Sequence, residues 1–218
     1  MGRTVWFLTG NLGKVKEATH HLEPLGYDVK QLVVPEGSII EPQANELIDV
    51  AMAKIQQAIP FLANPEDLLL VEDAGLFIDA LDGFPGVYAA YALHTLRCEG
   101  VLRLLNHLGS VDPVQSANLR KASFQAVAAM WNNGEMLIGN GTCPGWITHQ
   151  KTEGEGFGFD PIFVPSDLDE DNQPLPPGTY GVVSTHGKTF GGISMDEKQK
   201  FSHRSRALED LLRQLPSA

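Results

Sequence analysis

The stretch from Leu68 to Ala90, LLLVEDAGLFIDALDGFPGVYAA, constrains the fold of this chain more than any other. Leu68, Leu69, Leu70 and Val71 form an apolar run of strand length with no polar alternation, the pattern of a strand buried on both faces. Two carboxylates and, after Ala74, a glycine follow it, which places Glu72 and Asp73 at a strand tip, where open α/β sheets bind their ligands. Successive strand residues point to opposite faces, so one carboxylate is expected to face the core and the other a cleft, and a hard cation suits either. An acidic turn closing an ordinary strand would use the same residues. Asp82-Gly83 and Phe84-Pro85-Gly86 then set turn formers beside an aromatic ring, as in a rigid, shaped loop.

Upstream, Val5 to Leu8 reads as a buried first strand, and Thr9-Gly10-Asn11-Leu12-Gly13-Lys14 turns it into a helix bearing Val15, Ala18 and either His21 or Leu22 on one face. Free N–H groups and the positive end of a helix dipole suit an anion there, and Thr9, Asn11 and Lys14 add side-chain donors. The loop lacks the GxxxxGK[ST] pattern and reads equally as a plain strand–turn–helix joint. A second strand is expected over Asp28 to Val34. Glu41 precedes Pro42 and is expected to be extended. A helix from about Asn45 to Ile59 carries Leu47, Val50, Ala51 and Ala58 on one stripe, with Lys54 on the same stripe. That lysine either snorkels at the stripe's edge or serves a site.

Downstream, Glu99 to Gly109 reads as an amphipathic helix. Ser123 to Trp131 and Glu135 to Gly139 read as strands joined by Asn132-Asn133-Gly134, a hairpin signal that would belong to a second lobe. In GEGFGFDPIF, residues 154–163, glycines flank Phe157, so the backbone can approach a flat ligand while the ring stacks on it; a β-turn with core phenylalanines fits too. The Asp, Glu, Pro and Gly content of Ser166 to Tyr180 suggests a surface insertion without regular structure. Ser194 and Glu197 have capping-box spacing, and Ser202 precedes a helix with Leu208, Leu211, Leu212 and Leu215 on its stripe. Lys198, Lys200, His203, Arg204 and Arg206 cluster at that helix start, either as solvated charge or as an anion site.

A chain of 218 residues with 43% hydrophobic content can bury a full core. Its net charge of −11 argues against nucleic acid polymers and anionic membranes as partners. Cys98 and Cys143 are far apart without CxxC spacing, which fits a reducing compartment, with the cytoplasm as the expected location. No apolar run reaches membrane-spanning length.

Taken in order, TGNLGK at 9–14, VEDAGLFIDALDGFPGVYAA at 71–90, FGFDPIF at 157–163 and MDEKQKFSHRSRAL at 195–208 resemble the inosine triphosphate pyrophosphatase family, across nearly the whole chain. The resemblance implies a single α/β domain over residues 1–218, with a long mixed central sheet, flanking helices and two lobes around a nucleotide-binding cleft. It places an acidic, Pro- and Gly-rich insertion at about 166–192 and implies a homodimer. The activity it implies is magnesium-dependent hydrolysis of deaminated purine nucleoside triphosphates (ITP, dITP, XTP) to the monophosphate and pyrophosphate.

Carried over by position, Thr9, Gly10, Asn11, Leu12, Gly13 and Lys14 would hold the triphosphate, helped by Lys54 and Lys198. Glu41 and Asp73 would hold magnesium, and Asp73 would also be the catalytic residue that orients or deprotonates water. Phe157 would stack on the base, Gly158, Phe159 and Asp160 would shape its pocket, and His203 and Arg204 would face its edge. The chain departs from the family at Ala74, where Ser or Thr is usual, and at Gly191-Gly192, near which an acidic residue is common. Pyrophosphatase activity on pyrimidine or modified nucleotides, and nucleotide binding with little turnover, are the alternative readings.

Overall fold

The computed structural model describes residues 3–154 and 156–215, so Glu155 of the GEGFGFDPIF stretch lies outside the described residues. In chain order the regular elements are β1 (Thr4–Phe7), α1 (Leu12–Leu22), β2 (Asp28–Gln31), α2 (Leu47–Ala58), β3 (Leu68–Ile78), β4 (Pro85–Gly86), α3 (Ala89–Thr95), α4 (Arg97–Leu104), α5 (Pro113–Leu119), β5 (Lys121–Asn132), β6 (Glu135–Ile147), β7 (Phe163–Pro165), α6 (Met195–Gln199) and α7 (His203–Leu212). Among the described residues, the strands form one mixed sheet in the order β2-β1-β3-β5-β6-β7, with β4 paired to β3. β1 runs parallel to both β2 and β3, whereas β4 is antiparallel to β3 and β7 to β6. This is the mixed α/β architecture expected from the sequence.

The chain divides into two compact units. The first comprises the residues up to Ala74, Ala126–Gly141 and His203 onward; the second comprises Gly75–Gln125 and Thr142–Ser202. In the first unit β3 is interior to the sheet, which is why Leu68 to Val71 can be apolar on both faces and fully buried. Leu68 and Leu70 join Val5, Phe7, Ala128 and Met130 in one core, closed by Ala18 and Leu22 of α1 and by Ala207, Leu208 and Leu211 of α7. Close packing of α7 depends on glycine: a Cβ at Gly139 would meet the Ala207 carbonyl, and one at Gly141 the His203 carbonyl. Asn133 and Gly134, at φ 45° and 99°, turn the hairpin as its Asn-Gly signal requires. The tip of that hairpin belongs to the first unit and its base to the second, so it is not a second-lobe element alone.

In the second unit Phe159, Ile162, Phe163, Phe190 and Phe201 pack with Leu76 and Ile78 from the end of β3. Phe163 packs against Phe124 and Phe190 at centroid distances of 4.6 and 5.3 Å. Arg120, 1% exposed, spends its guanidinium on backbone carbonyls. Nε donates to Ile147, Nη1 to Leu105 and Leu108, and Nη2 to Thr148, tying the end of α4 to the end of β6. The 166–180 segment forms no helix or strand, as expected. It is not wholly superficial, though: Leu168 is buried in the core and bridges Pro174 and Val183.

β3 corrects one expectation. The strand does not end at Glu72 and Asp73 but continues to Ile78, because Leu76 and Phe77 pair with Gly86 and Pro85 and the absent side chain of Gly75 admits the Gly86 carbonyl. The two carboxylates therefore sit mid-strand. Arg120→Met, which strands several buried carbonyls without donors, should lower unfolding stability by about 3 kcal/mol or more in urea titrations.

Candidate active site

The first unit gathers one set of the expected residues. Asn11 caps α1, its side chain accepting from the Gly13 N–H at 2.8 Å, and Thr9 Oγ1 accepts from the Asn11 N–H at 3.1 Å. Gly10 to Gly13 are exposed, so the loop and the first helical turn present backbone to solvent. Lys14 projects from that turn to β3, with Nζ 3.2 Å from Glu72 Oε2 and donating to the Glu72 carbonyl. Arg204, on the first turn of α7, approaches the same carboxylate from the other side, its Nε 3.3 Å from Glu72 Oε1, while Nη1 lies 4.0 Å from Glu17 of α1. Burial pushes the Glu72 carboxyl up, but Lys14 and Arg204 outweigh it and hold the pKa below its ordinary value. His203 is buried beside Arg204 in sequence, as the first residue of α7.

The other carboxylate faces differently. Asp73 keeps 18% of its side chain exposed and stands 3.7 Å from Lys54 Nζ, which is itself 2.6 Å from Glu41 Oε1. Burial pushes the Asp73 pKa up, and Glu41 and Glu72 add to this against the pull of Lys54 and Lys14. Lys54 is raised despite its burial, because Asp73 and Glu41 favour its charge. Lys54 thus leaves the stripe formed by Leu47, Val50, Ala51, Ile55 and Ala58 to meet two carboxylates, a reason beyond snorkelling. Two oxygen donors collected around one positive charge are a fitting set for magnesium, which takes one or two carboxylates and completes its shell with water and phosphate. Among the described residues, no group of three or more His, Cys, Asp or Glu could hold a metal ion.

The second unit gathers another set. Phe157 is 47% exposed, whereas Phe159 and Asp160 are buried. Gly158, at φ 65°, turns the backbone between the two rings so that one faces solvent and the other the core. Asp160 Oδ2 accepts from the Phe157 N–H at 3.0 Å and from Lys198 Nζ at 2.6 Å, and that ammonium sits 4.3 Å from the Phe157 ring centroid. Lys198 comes from α6, whose Ser194–Glu197 capping box is formed in both directions.

The basic cluster expected at one helix start is thus divided: Lys198 belongs to the aromatic loop of the second unit, and Arg204 to the carboxylate of the first. Sequence reasoning did not single out Glu17. The signal was its position three residues after Lys14, which puts both on one face of α1. Both positions at which the chain was expected to depart from the family are packed. Ala74 packs against the core of the first unit. Gly191 lies under the glycine-rich loop, where Gly154 could carry no Cβ without striking its carbonyl and its own Cα is 3.0 Å from a Cβ built on Gly156.

The fold is that of a mixed α/β protein, with an exposed loop and a carboxylate pair around Lys54 in the first unit and, in the second, an exposed aromatic ring beside a lysine. The chain belongs to the Ham1 family, whose model matches residues 5–214. It is 38% identical over 205 residues to a dITP/XTP pyrophosphatase of Thermococcus kodakarensis, covering 94% of this chain and 92% of that one. To the dITP/XTP pyrophosphatase of Hyperthermus butylicus it is 34% identical over 213 residues, or 98% and 95% of the two chains. Among solved structures, a HAM1 protein from Coxiella burnetii superposes with a TM-score of 0.73 at 26% identity, covering 96% of each chain.

Because one oxygen of Asp160 holds both the Phe157 amide and Lys198, the Asp160–Lys198 pair should show strong coupling. In a double-mutant cycle of Asp160→Asn and Lys198→Met, read by denaturant unfolding, the coupling energy should be about 1–3 kcal/mol.

Proposed function

We propose that the chain hydrolyses deaminated purine nucleoside triphosphates, ITP, dITP and XTP, to the monophosphate and pyrophosphate. The observation that carries the reading is Asp73, a partly exposed carboxylate on an interior strand, with its pKa pushed up and paired to Lys54. Membership of the Ham1 family and dITP/XTP pyrophosphatase relatives at 30–38% identity support it.

Each group of residues has a role that its chemistry suits. The exposed loop at the start of α1 and the ammonium of Lys14 are suited to phosphate oxygens, where negative charge shifts toward the leaving pyrophosphate. Asp73, partly exposed and 3.7 Å from Lys54, orients the attacking water and accepts its proton. Glu41 and Asp73 would hold magnesium, which when bound neutralises phosphate charge. Phe157 offers its ring face to the base. Arg204, held by Glu72 and Glu17, has only N–H donors, so it favours the 6-oxo group of hypoxanthine or xanthine over the 6-amino group of adenine. Nucleotide-pool cleansing in the cytoplasm, as a homodimer, completes the proposal, with Cys98 and Cys143 both buried. Among the described residues, no helix is long and apolar enough to cross a membrane.

The direct test is pyrophosphate release from a panel of ITP, XTP, GTP, ATP and dUTP with magnesium; preference for ATP or dUTP over ITP would overturn the reading. Asp73→Asn should reduce turnover by about a thousandfold or more while circular dichroism stays unchanged. Arg204→Ala should lower the ITP-to-ATP ratio of kcat/KM by roughly tenfold or more, with a smaller effect on ITP against GTP, because guanine shares the 6-oxo group.

A further inference from the structure

The role of Glu72 goes beyond that of a neighbour to Asp73. It is 4% exposed, on an interior strand, and its two oxygens are divided between two helices: Oε2 to Lys14 of α1, Oε1 to Arg204 of α7. All three residues belong to the first unit. A buried carboxylate is tolerated only when its charge is matched, so this one fixes both cations as firmly as they fix it. The two cations have different tasks in the proposed reaction, one on the phosphates and the other at the base.

We infer that Glu72 is a positioning residue that couples phosphate binding at Lys14 to base selection at Arg204. The inference rests on the proposed function. When a phosphate oxygen draws Lys14 from Oε2, Glu72 keeps more of its charge for Arg204 and holds the guanidinium in place for the base. When a wrong base displaces Arg204, the freed carboxylate binds Lys14 more tightly and competes with the phosphates. Discrimination between bases then appears in how well the triphosphate is held, not only in contacts to the base.

The variant that tests this is Glu72→Gln, which keeps the shape, removes the charge and turns an N–H2 toward one of the two cations. Two quantities report on the two ends. Affinity for inorganic tripolyphosphate, measured by titration calorimetry in metal-free buffer, reads the Lys14 end without a base. The ITP-to-ATP ratio of kcat/KM reads the Arg204 end, and effects common to both substrates cancel in it. Glu72→Gln should tighten tripolyphosphate binding, because Lys14 loses its competing carboxylate, and lower the ratio, because Arg204 loses its hold, each by roughly tenfold, the scale of one charge-assisted hydrogen bond. Glu72→Asp, which keeps the charge on a shorter arm, should recover part of both.

Lys14→Ala and Arg204→Ala serve as references, the first moving the tripolyphosphate affinity and the second the ratio. If both references respond while Glu72→Gln leaves either quantity at the wild-type value, the coupling is wrong and the functional reading stands. If neither reference responds, the functional reading fails and the coupling falls with it. Should Glu72→Gln not fold, Glu72→Asp carries the same test: tripolyphosphate affinity should rise and the ratio fall relative to wild type, and a normal value of either overturns the inference.

Discussion

The structure of the first unit depends on an ionised carboxylate in the middle of a buried strand. Leu68 to Val71 take β3 into the interior of the sheet, and Glu72 continues it there, with its side chain 3% exposed. Moving a lone carboxylate into such a place costs several kcal/mol even after relaxation. The cost is offset by delivering Lys14 and Arg204 from helices that begin at the right height beside the strand. Packing sets α1 and α7 against the sheet, and the two ion pairs tie the start of each helix to one point on β3. The close approach of α7 to Gly139 and Gly141 follows from the same requirement for position.

Much of this was legible in the sequence because local chemistry decided it. The Asn-Gly turn of the hairpin, the Ser194–Glu197 capping box and the strand–loop–helix joint at residues 4–22 each rest on neighbours within a few positions. The alternation of Glu72 and Asp73 between core and solvent also followed from strand geometry alone. The continuation of β3 to Ile78 did not, since it depends on pairing with Pro85 and Gly86 and on the missing side chain at Gly75. Likewise, Lys198 and Arg204 are only six positions apart in the chain, but they belong to different units, and no periodicity in that stretch announces the division. Arg120 was invisible for a similar reason: its partners are carbonyls, which every sequence supplies equally.

The glycine-rich loop shows how composition serves electrostatics. Phe157 stays exposed because Gly158 turns the next aromatic inward, and the backbone on either side is held close to Gly191 and Asp160. A single oxygen of Asp160 then sets both the loop amide and the ammonium at the ring. The ring and its cation are ordered by folding, so little conformational entropy is left to lose when a flat partner arrives.

Lys54 stands between Glu41 and Asp73 as a counterion that the protein carries for itself. A metal ion at the proposed pair would find one positive charge already there and gain only the difference, so the arrangement would hold a free ion weakly. A cation that arrives with its own anions does not face this handicap, since those anions can take over the lysine as the carboxylates turn to the newcomer. For the proposed site, an internal ammonium would therefore discourage bare ions and favour the complex of metal and polyanion.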